Sequence, residues 1–218
     1  MLGRISRFVD NNGWYLLFLE IARRTTATVR GILYSRSLKV TGMSIGESPY
    51  IRGAKSITIG SRFMAGKNLW LDAIHQYYGN RYTPKILIGN NVGVSDSVHI
   101  AATTSVILSD GVLVGSHVLI TDHNHGVYGG TAQSEPENPP STRRLSASQS
   151  VFIGRNVWIG DGVVVLPGSH IGAGSIIGAN SVVTGDIPPR CIAVGSPARP
   201  IRVYDLQSKE WKEWTPNE

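Results

Sequence analysis

Reading from Ile153, an aliphatic side chain returns every six positions, at Ile153, Ile159, Val165, Ile171, Ile177 and Val183. Gly follows it at 154, 160, 172 and 178, and the fourth residue after it is small or β-branched throughout: Val157, Val163, Ser169, Ser175, Ser181, Ile187. A six-residue period is not the period of about 3.6 that marks an amphipathic helix. It predicts flat segments joined by corners, with the aliphatic residue pointing inward, the small residue packed at the turn and Gly or Asn allowing the bend. One such coil cannot bury its own core, so neighbouring coils must stack and pair their strands in parallel. The same register returns upstream through Ile88, Val94 and Ile100, and through Leu108, Val114 and Ile120. The step from 100 to 108 is eight, which places a two-residue insertion near Ala101–Ser105. Weaker units lie at Ile45–Gly46, Ile51, Ile57 and Ile59–Gly60. The expected class is an all-β solenoid, a parallel β-helix.

Three segments interrupt the pattern. Residues 13–36 read as one or two helices with an apolar side, within a basic segment 1–40. Residues 73–84, AIHQYYGNRYTP, and 126–150, GVYGGTAQSEPENPPSTRRLSASQS, are insertions into a β-helix spanning 41–187. A loop as long as the second is functional or disordered as a rule. Pro188-Pro189 is expected to end the last strand, since proline cannot donate to a sheet ladder. The chain would then leave the solenoid as an extended tail and close with a short capping helix over Asp205–Trp214, within 188–218, with Asp205 as a candidate N-cap.

Composition sharpens this picture. With 25 Gly and only 17% charged residues, the chain suits short strands and tight turns. The single Cys191 excludes an internal disulfide framework and agrees with a reducing, cytoplasmic setting. Of the net charge of +6, seven cations against two carboxylates place +5 within residues 1–40. That excess reads either as a solvated basic helix or as attraction to an anionic membrane surface at the inner face of the cytoplasmic membrane. No run approaches the length of a membrane-spanning helix, the start lacks a signal-peptide pattern, and the basic residues carry no nucleic-acid reading motif.

The candidate chemistry centres on Thr121–Gly126, TDHNHG, at the end of an apolar run. His123 and His125 could be a metal pair, a catalytic base with its neighbour, or solvated loop residues. H-x-H on an extended strand puts both rings on one face, and Asp122 is placed to pair with His123.

The segment 151–203 carries a resemblance. NVWIG, GANSVVTGDIPP and GSPARPIR, in that order, are similar to the C-terminal half of hexapeptide-repeat O-acetyltransferases, especially the galactoside and maltose acetyltransferases and the bacterial lipopolysaccharide O-antigen acetyltransferases. The similarity runs over about 86–203 and includes VHIAA at 98–102. It implies a left-handed β-helix, a homotrimer and acetyl-CoA as cosubstrate. The family's catalytic histidine lies five residues after the aliphatic that opens its hexad, which is His125 here, with His123 as the other candidate base. The resemblance further implies that the Asp161 amide faces the thioester carbonyl, that Trp158, Ala179, Thr184 and Gly185 line the CoA groove, and that Arg199 and Arg202 meet its phosphates. Asp161 departs from the small residue the family often carries there.

The acceptor side is thinner. Where sugar acetyltransferases hold the acceptor with an asparagine one coil before the histidine, the hexad count places Ser95, beside Asp96. Asp72, His99 and Asp122 are further candidates for substrate contact. The expected activity is transfer of acetyl to a sugar hydroxyl of an O-antigen or capsule polysaccharide, or of its lipid-linked precursor. A small acceptor such as a nucleotide sugar, a maltose-like sugar or an antibiotic is the alternative, followed by a zinc-dependent hydratase on the same scaffold and a non-catalytic β-helix that only trimerises.

Overall fold

The computed structural model of the chain describes residues 2–38, 40–146 and 149–215, with side chains from residue 8 onward. From Ser44 the chain visits three parallel sheets in strict rotation, one short strand on each, so that every turn of the rotation is a three-sided coil. The first face carries Ser44–Ile45, Met64–Ala65, Gly93–Val94, Leu113–Val114, Trp158–Ile159 and Ile176–Ile177. The second carries Tyr50–Arg52, Trp70–Ala73, His99–Ala102, Leu119–Thr121, Val164–Val165 and Val182–Val183. The third carries Ile57–Ile59, Ile86–Ile88, Val106–Leu108, Val151–Ile153 and His170–Ile171, continued by a bridge from Ile171 to Ile187.

The hexad's aliphatic residues form ladders inside this prism. Val94, Val114, Ile159 and Ile177 stack under the first face, Leu71, Ile100, Ile120 and Val165 under the second, and Ile88, Leu108 and Ile153 under the third, all buried. The small residues fill the corners and bond across coils. Ser169 Oγ donates to Val183 O at 3.1 Å, Ser175 Oγ donates to Pro188 O at 2.7 Å, and Ser181 Oγ accepts from Gly195 N at 3.0 Å. Asparagines at the bends, Asn91, Asn156 and Asn180, take left-handed backbone conformations near φ 57°, which a short polar side chain tolerates better than a branched one.

Both ends depart from expectation. The N-terminal helix runs from Leu2 to Leu38, longer than 13–36, and is interrupted at Gly13, whose φ of 79° and ψ of 164° are not helical. Glycine adopts that backbone at no steric cost. Its downstream half packs against the first coil, with Gly31 at the point of closest approach.

At the other end, Cys191–Gly195 does not leave the stacked sheets. It pairs in parallel with Ile176–Ile177 and so extends the first face by one strand. The chain then folds back antiparallel over Ala198–Asp205 and again over Glu210–Glu213. The expected capping helix is therefore a strand hairpin. Tyr204 and Trp211 face each other across it with centroids 5.3 Å apart, a cross-strand aromatic pair that a helix could not form. Asp205 does cap, but it caps a turn: its Oδ1 accepts from the amides of Gln207 and Ser208, and Lys212 bonds its other oxygen. The same Asp signal serves a helix start and a tight turn.

A Cβ on Gly31 would lie 2.1 Å from the Met43 carbonyl oxygen, a backbone atom that cannot give way. Gly31→Ala should destabilise the helix contact by about 1–3 kcal/mol, the usual range for overpacking. Urea unfolding monitored by far-UV circular dichroism would show a lowered midpoint, and an unchanged midpoint would refute the close approach.

Candidate active site

The two long insertions and the two-residue insertion at Thr103–Ser105 fall at the same edge of the prism, between the second and third faces, in three successive coils. The segment after Ala73 leaves the coil and returns at Ile86, Thr103–Ser105 make the two-residue insertion, and the long loop leaves after Thr121 and returns at Val151. Stacked insertions make one continuous protrusion. The first contains a small hairpin, Gln76–Tyr77 paired with Asn80–Arg81. It is clasped to the long loop by Tyr77, whose hydroxyl donates to Ser141 O at 3.0 Å, and by Tyr82, whose hydroxyl accepts from Leu145 N at 2.9 Å. Arg143 ties the long loop to itself. Its Nε and Nη2 donate to the carbonyls of Asn138 and Pro136 at 2.8 Å each, and its Nη1 donates to the Tyr128 hydroxyl at 3.0 Å.

The histidine segment sits at the base of this protrusion. Asp122 points inward and is fully buried. Its Oδ1 accepts from Thr103 N at 2.8 Å and Thr103 Oγ1 at 3.2 Å, and its Oδ2 accepts from Thr104 N at 2.8 Å and Ser105 N at 2.7 Å. The inserted corner of the coil below is thus folded around one carboxylate. The same Oδ1 lies 3.0 Å from His123 Nδ1. Burial pushes the Asp122 carboxyl up, but the hydrogen bonds from His123 and from the Thr103 and Thr104 amides outweigh it and hold the group below its ordinary value. An ionised carboxylate only accepts. The shared proton therefore belongs on His123 Nδ1. The Thr121 hydroxyl, 3.2 Å from the His123 carbonyl and from Nδ1, braces the ring.

His125 has a different setting. Its ring is exposed and meets Tyr77 edge to face at 5.2 Å, while its backbone bridges to Leu145. On the outer side of the second face, Trp70 stacks on His99 with centroids 4.3 Å apart, and Tyr50 meets Trp70 edge-on. Burial lowers the His99 imidazole below its ordinary value, the nearby Asp72 charge opposes this, and His123 adds to it. Asp72 is buried and held in a two-pronged pair by Arg52, at 2.7 and 2.6 Å.

The structure therefore brings Asp72, His99, Asp122, His123 and His125 to one edge. It places Ser95 and Asp96 at another, the corner between the first and second faces. Strand register explains the difference: Ala101 pairs with Thr121, so the residues one coil before the histidines are at the Thr103 corner. Ser95 follows the first-face strand Gly93–Val94, whereas the histidines follow the second-face strand Leu119–Thr121. Asp96 there accepts from Lys67 N at 2.9 Å, and further along the same corner Asp161 does likewise, accepting from Ser116 N at 2.6 Å. The carboxylate at 161 is thus a staple between coils.

Trp158 is exposed on the outside of the first face, and Asp161 and Ala179 lie at that face's corner with the second. Thr184 and Gly185 follow the last second-face strand. Arg199 and Arg202 are three residues apart, a spacing that would put them on opposite sides of a regular strand. A register shift opposite Ile192 and Ala193 corrects this: Arg199 pairs with Val194 and Arg202 with Ile192, so both point to the outer side that Trp158 shares. Among the described residues no three His, Cys, Asp or Glu side chains converge as a metal site. The sequence reading missed Tyr77, Tyr82, Tyr128, Arg143 and Arg52. The aromatic cluster of 73–84 hinted at the tyrosines, whereas the arginines act through partners far along the chain.

Because the folded Asp122 pKa is depressed, its contribution to stability is present above the unfolded value of about 4 and is lost as the pH falls through the lower folded value. Asp122→Asn should cost about 1–3 kcal/mol at neutral pH, since amides built around an anion would be left poorly paired. It should also flatten the acid limb of stability as the pH falls below the unfolded value of about 4. Chemical denaturation of both proteins across that range would show it, and parallel acid limbs would contradict it.

Comparison with known proteins agrees with this architecture. Residues 150–185 match the family described as bacterial transferase hexapeptide (six repeats). The chain is 41% identical over 186 residues to WbbJ of Escherichia coli K12, which bears the name lipopolysaccharide biosynthesis O-acetyl transferase; the match covers 85% of this chain and 91% of WbbJ. Among solved structures, galactoside acetyltransferase in complex with coenzyme A superposes with a TM-score of 0.54 at 27% identity, over 87% of this chain and 78% of that one. AntD, an N-acyltransferase from Bacillus cereus solved with dTDP and coenzyme A, shares the fold with a TM-score of 0.63 at 20% identity, over 81% of this chain and 89% of that one. Identity and coverage of this extent show that the chain belongs to the bacterial hexapeptide-repeat acetyltransferases, and it is an acyltransferase that draws its acetyl group from acetyl-CoA.

Proposed function

We propose that this acetyltransferase moves acetyl directly from acetyl-CoA to a sugar hydroxyl of a surface polysaccharide, an O-antigen or capsule, or its lipid-linked precursor, with His123 as general base. The observation that carries the reading is the buried Asp122 carboxylate on His123 Nδ1. It holds the ring through Nδ1 and leaves Nε2 as the nitrogen that would take a proton from an attacking hydroxyl, the arrangement of a base oriented by a third group. The freed alkoxide would attack the thioester carbon, the oxyanion would be met by the Asp161 amide, and the CoA thiolate would leave. Likeness to WbbJ supports a lipopolysaccharide acceptor. A nucleotide sugar is the alternative acceptor, and on either reading Asp72 and His99 are the residues that would hold it. A second assignment of the base is favoured by the family register and by exposure: His125 stands free at the surface beside Tyr77.

On the same reading Trp158, Asp161, Ala179, Thr184 and Gly185 line the CoA groove, with Arg199 and Arg202 on its phosphates. Two guanidiniums on one side of one strand suit a phosphate better than point charges do. In a single chain the histidine edge and the Trp158–Asp161 edge bound opposite sides of the second face. A base from one copy and a groove from the next would close the site, which supports a left-handed helix assembled as a homotrimer. The outward positions of that face, Tyr50, Trp70, His99, Leu119, Val164 and Val182, are mostly apolar, as a contact between copies requires. The lipid-linked form of the acceptor would place the enzyme at a membrane surface.

Calorimetry with acetyl-CoA should show binding by the wild type that is weakened at least about tenfold in Arg199→Ala/Arg202→Ala, the cost of losing charge-assisted phosphate contacts. With an O-antigen glycan as acceptor, His123→Ala should lower kcat by about 100- to 10,000-fold with the KM for acetyl-CoA little changed. If His125→Ala carries that loss and His123→Ala does not, the base is His125. No binding at millimolar acetyl-CoA would overturn the groove.

A further inference from the structure

The N-terminal helix is apolar on two opposite sides. Downstream of Gly13 it is an uninterrupted helix to Leu38. Ala27, Gly31, Tyr34 and Leu38 form the side that packs on the first coil, and Gly31 and Leu38 are buried there. At about 100° per residue, Trp14, Tyr15, Phe18, Ile21, Val29, Ile32 and Leu33 fall in a sector of about 120° on the reverse side. None of them is covered: Trp14 is 74% exposed, Phe18 67%, Ile32 55% and Leu33 62%. The stripe runs for about 28 Å at about 1.5 Å per residue.

We propose that this outward stripe is a docking surface for an anionic lipid membrane, with the helix lying in the plane of the headgroups. Two arguments select a lipid surface over a second copy of the chain. A sector of about 120° is wider than the narrow seam of a two-helix coiled coil and suits burial along a plane. The charge of the segment as a whole is also complementary: Arg36 falls within the stripe's own sector, while Arg30 is held to the body by its bond to Ile45 O. Residues 1–40 carry +5, and between Trp14 and Leu38 the single carboxylate is Glu20, which Arg23 and Arg24 bind at 2.6–3.0 Å on the side away from the stripe. Trp14 and Tyr15 stand at the start of the stripe, directly after the Gly13 break, where amphipathic rings favour an interface. The inference deepens the proposed reading, since an acceptor carried on a lipid would be met at that surface.

The test is flotation of the full-length protein with vesicles of phosphatidylethanolamine and phosphatidylglycerol, and with vesicles of phosphatidylcholine alone. The wild type should float with the anionic vesicles, less so as salt is raised, because headgroup attraction is screened. Phe18→Ser/Ile32→Ser should float at least about tenfold less, the loss of two buried side chains, while its unfolding temperature and acetyl-CoA binding stay unchanged. Wild type that remains in solution with both vesicles overturns the proposal, as does a double variant that floats as well. A double variant that instead dissociates in sedimentation velocity would overturn it too, by showing that a second copy covers the stripe. Turnover on a water-soluble glycan separates the two readings. Vesicle binding without glycan acetylation leaves the dock standing and removes the acceptor, and the converse removes the dock alone.

Discussion

No coil of this protein can exist by itself. Each contributes one inward aliphatic to each face, too little to enclose a core, and its backbone amides find their partners only on the coils above and below. Parallel stacking is therefore the constraint on which everything else hangs, and the corners are where it is hardest to meet, since there the ladder of strand hydrogen bonds stops. Unpaired buried amides would be costly. The chain meets this with carboxylates and hydroxyls that reach across coils: Asp96 to Lys67, Asp110 to Asn90, Asp161 to Ser116, and Ser175 to Cys191. No buried side-chain nitrogen or oxygen among the described residues lacks a partner.

The candidate active site grows out of the same requirement. Two extra residues at the Thr103 corner present three amides that no strand can pair, and Asp122 on the next coil takes all of them. A carboxylate held so firmly has one oxygen left within reach of the residue that follows it. His123 inherits its orientation from a structural staple, at no extra cost in ordering. The hairpin below and the loop above then lean on each other through Tyr77 and Tyr82. Reactive groups and long insertions collect at this edge because only here does the coil depart from its repeat.

How much of this could be read from the sequence follows from the range of each interaction. The inward ladder was legible because its signal is periodic and local: Ile153 through Val183 state the fold six times over. The histidine segment was legible as chemistry. Its pairing with the coil below was not, since the hexad count places the insertion near Ala101–Ser105 but says nothing of which side chain on the next coil its amides meet. Ser95 was out of place for another reason, since it follows a strand of the first face and the histidines follow one of the second. The terminal hairpin failed for a different reason, because an Asp followed by polar residues opens a helix and an Asx turn alike, and only the cross-strand meeting of Tyr204 and Trp211 decides between them. The helix was visible, but its second apolar side was hidden by the first. Sequence periodicity reports that a face is apolar and says nothing of which face the body occupies.

The tail adds a last step. Arginines three residues apart would diverge on a regular strand, and they converge here because Ile201 is accommodated as a bulge where the chain folds back on Cys191–Gly195. The parallel strand at 191–195 can exist only as the final rung of the first face, so the guanidiniums are positioned by the same stacking that positions Asp122 at the far edge. If the CoA groove and the base meet across two copies, as proposed, then neither half needs to move to make the site. Each is fixed to its own rigid prism, and the geometry of transfer is set by how the prisms pack. Catalysis by proximity would then rest on the outer side of the second face, whose Leu119, Val164 and Val182 face away from the core their neighbours fill.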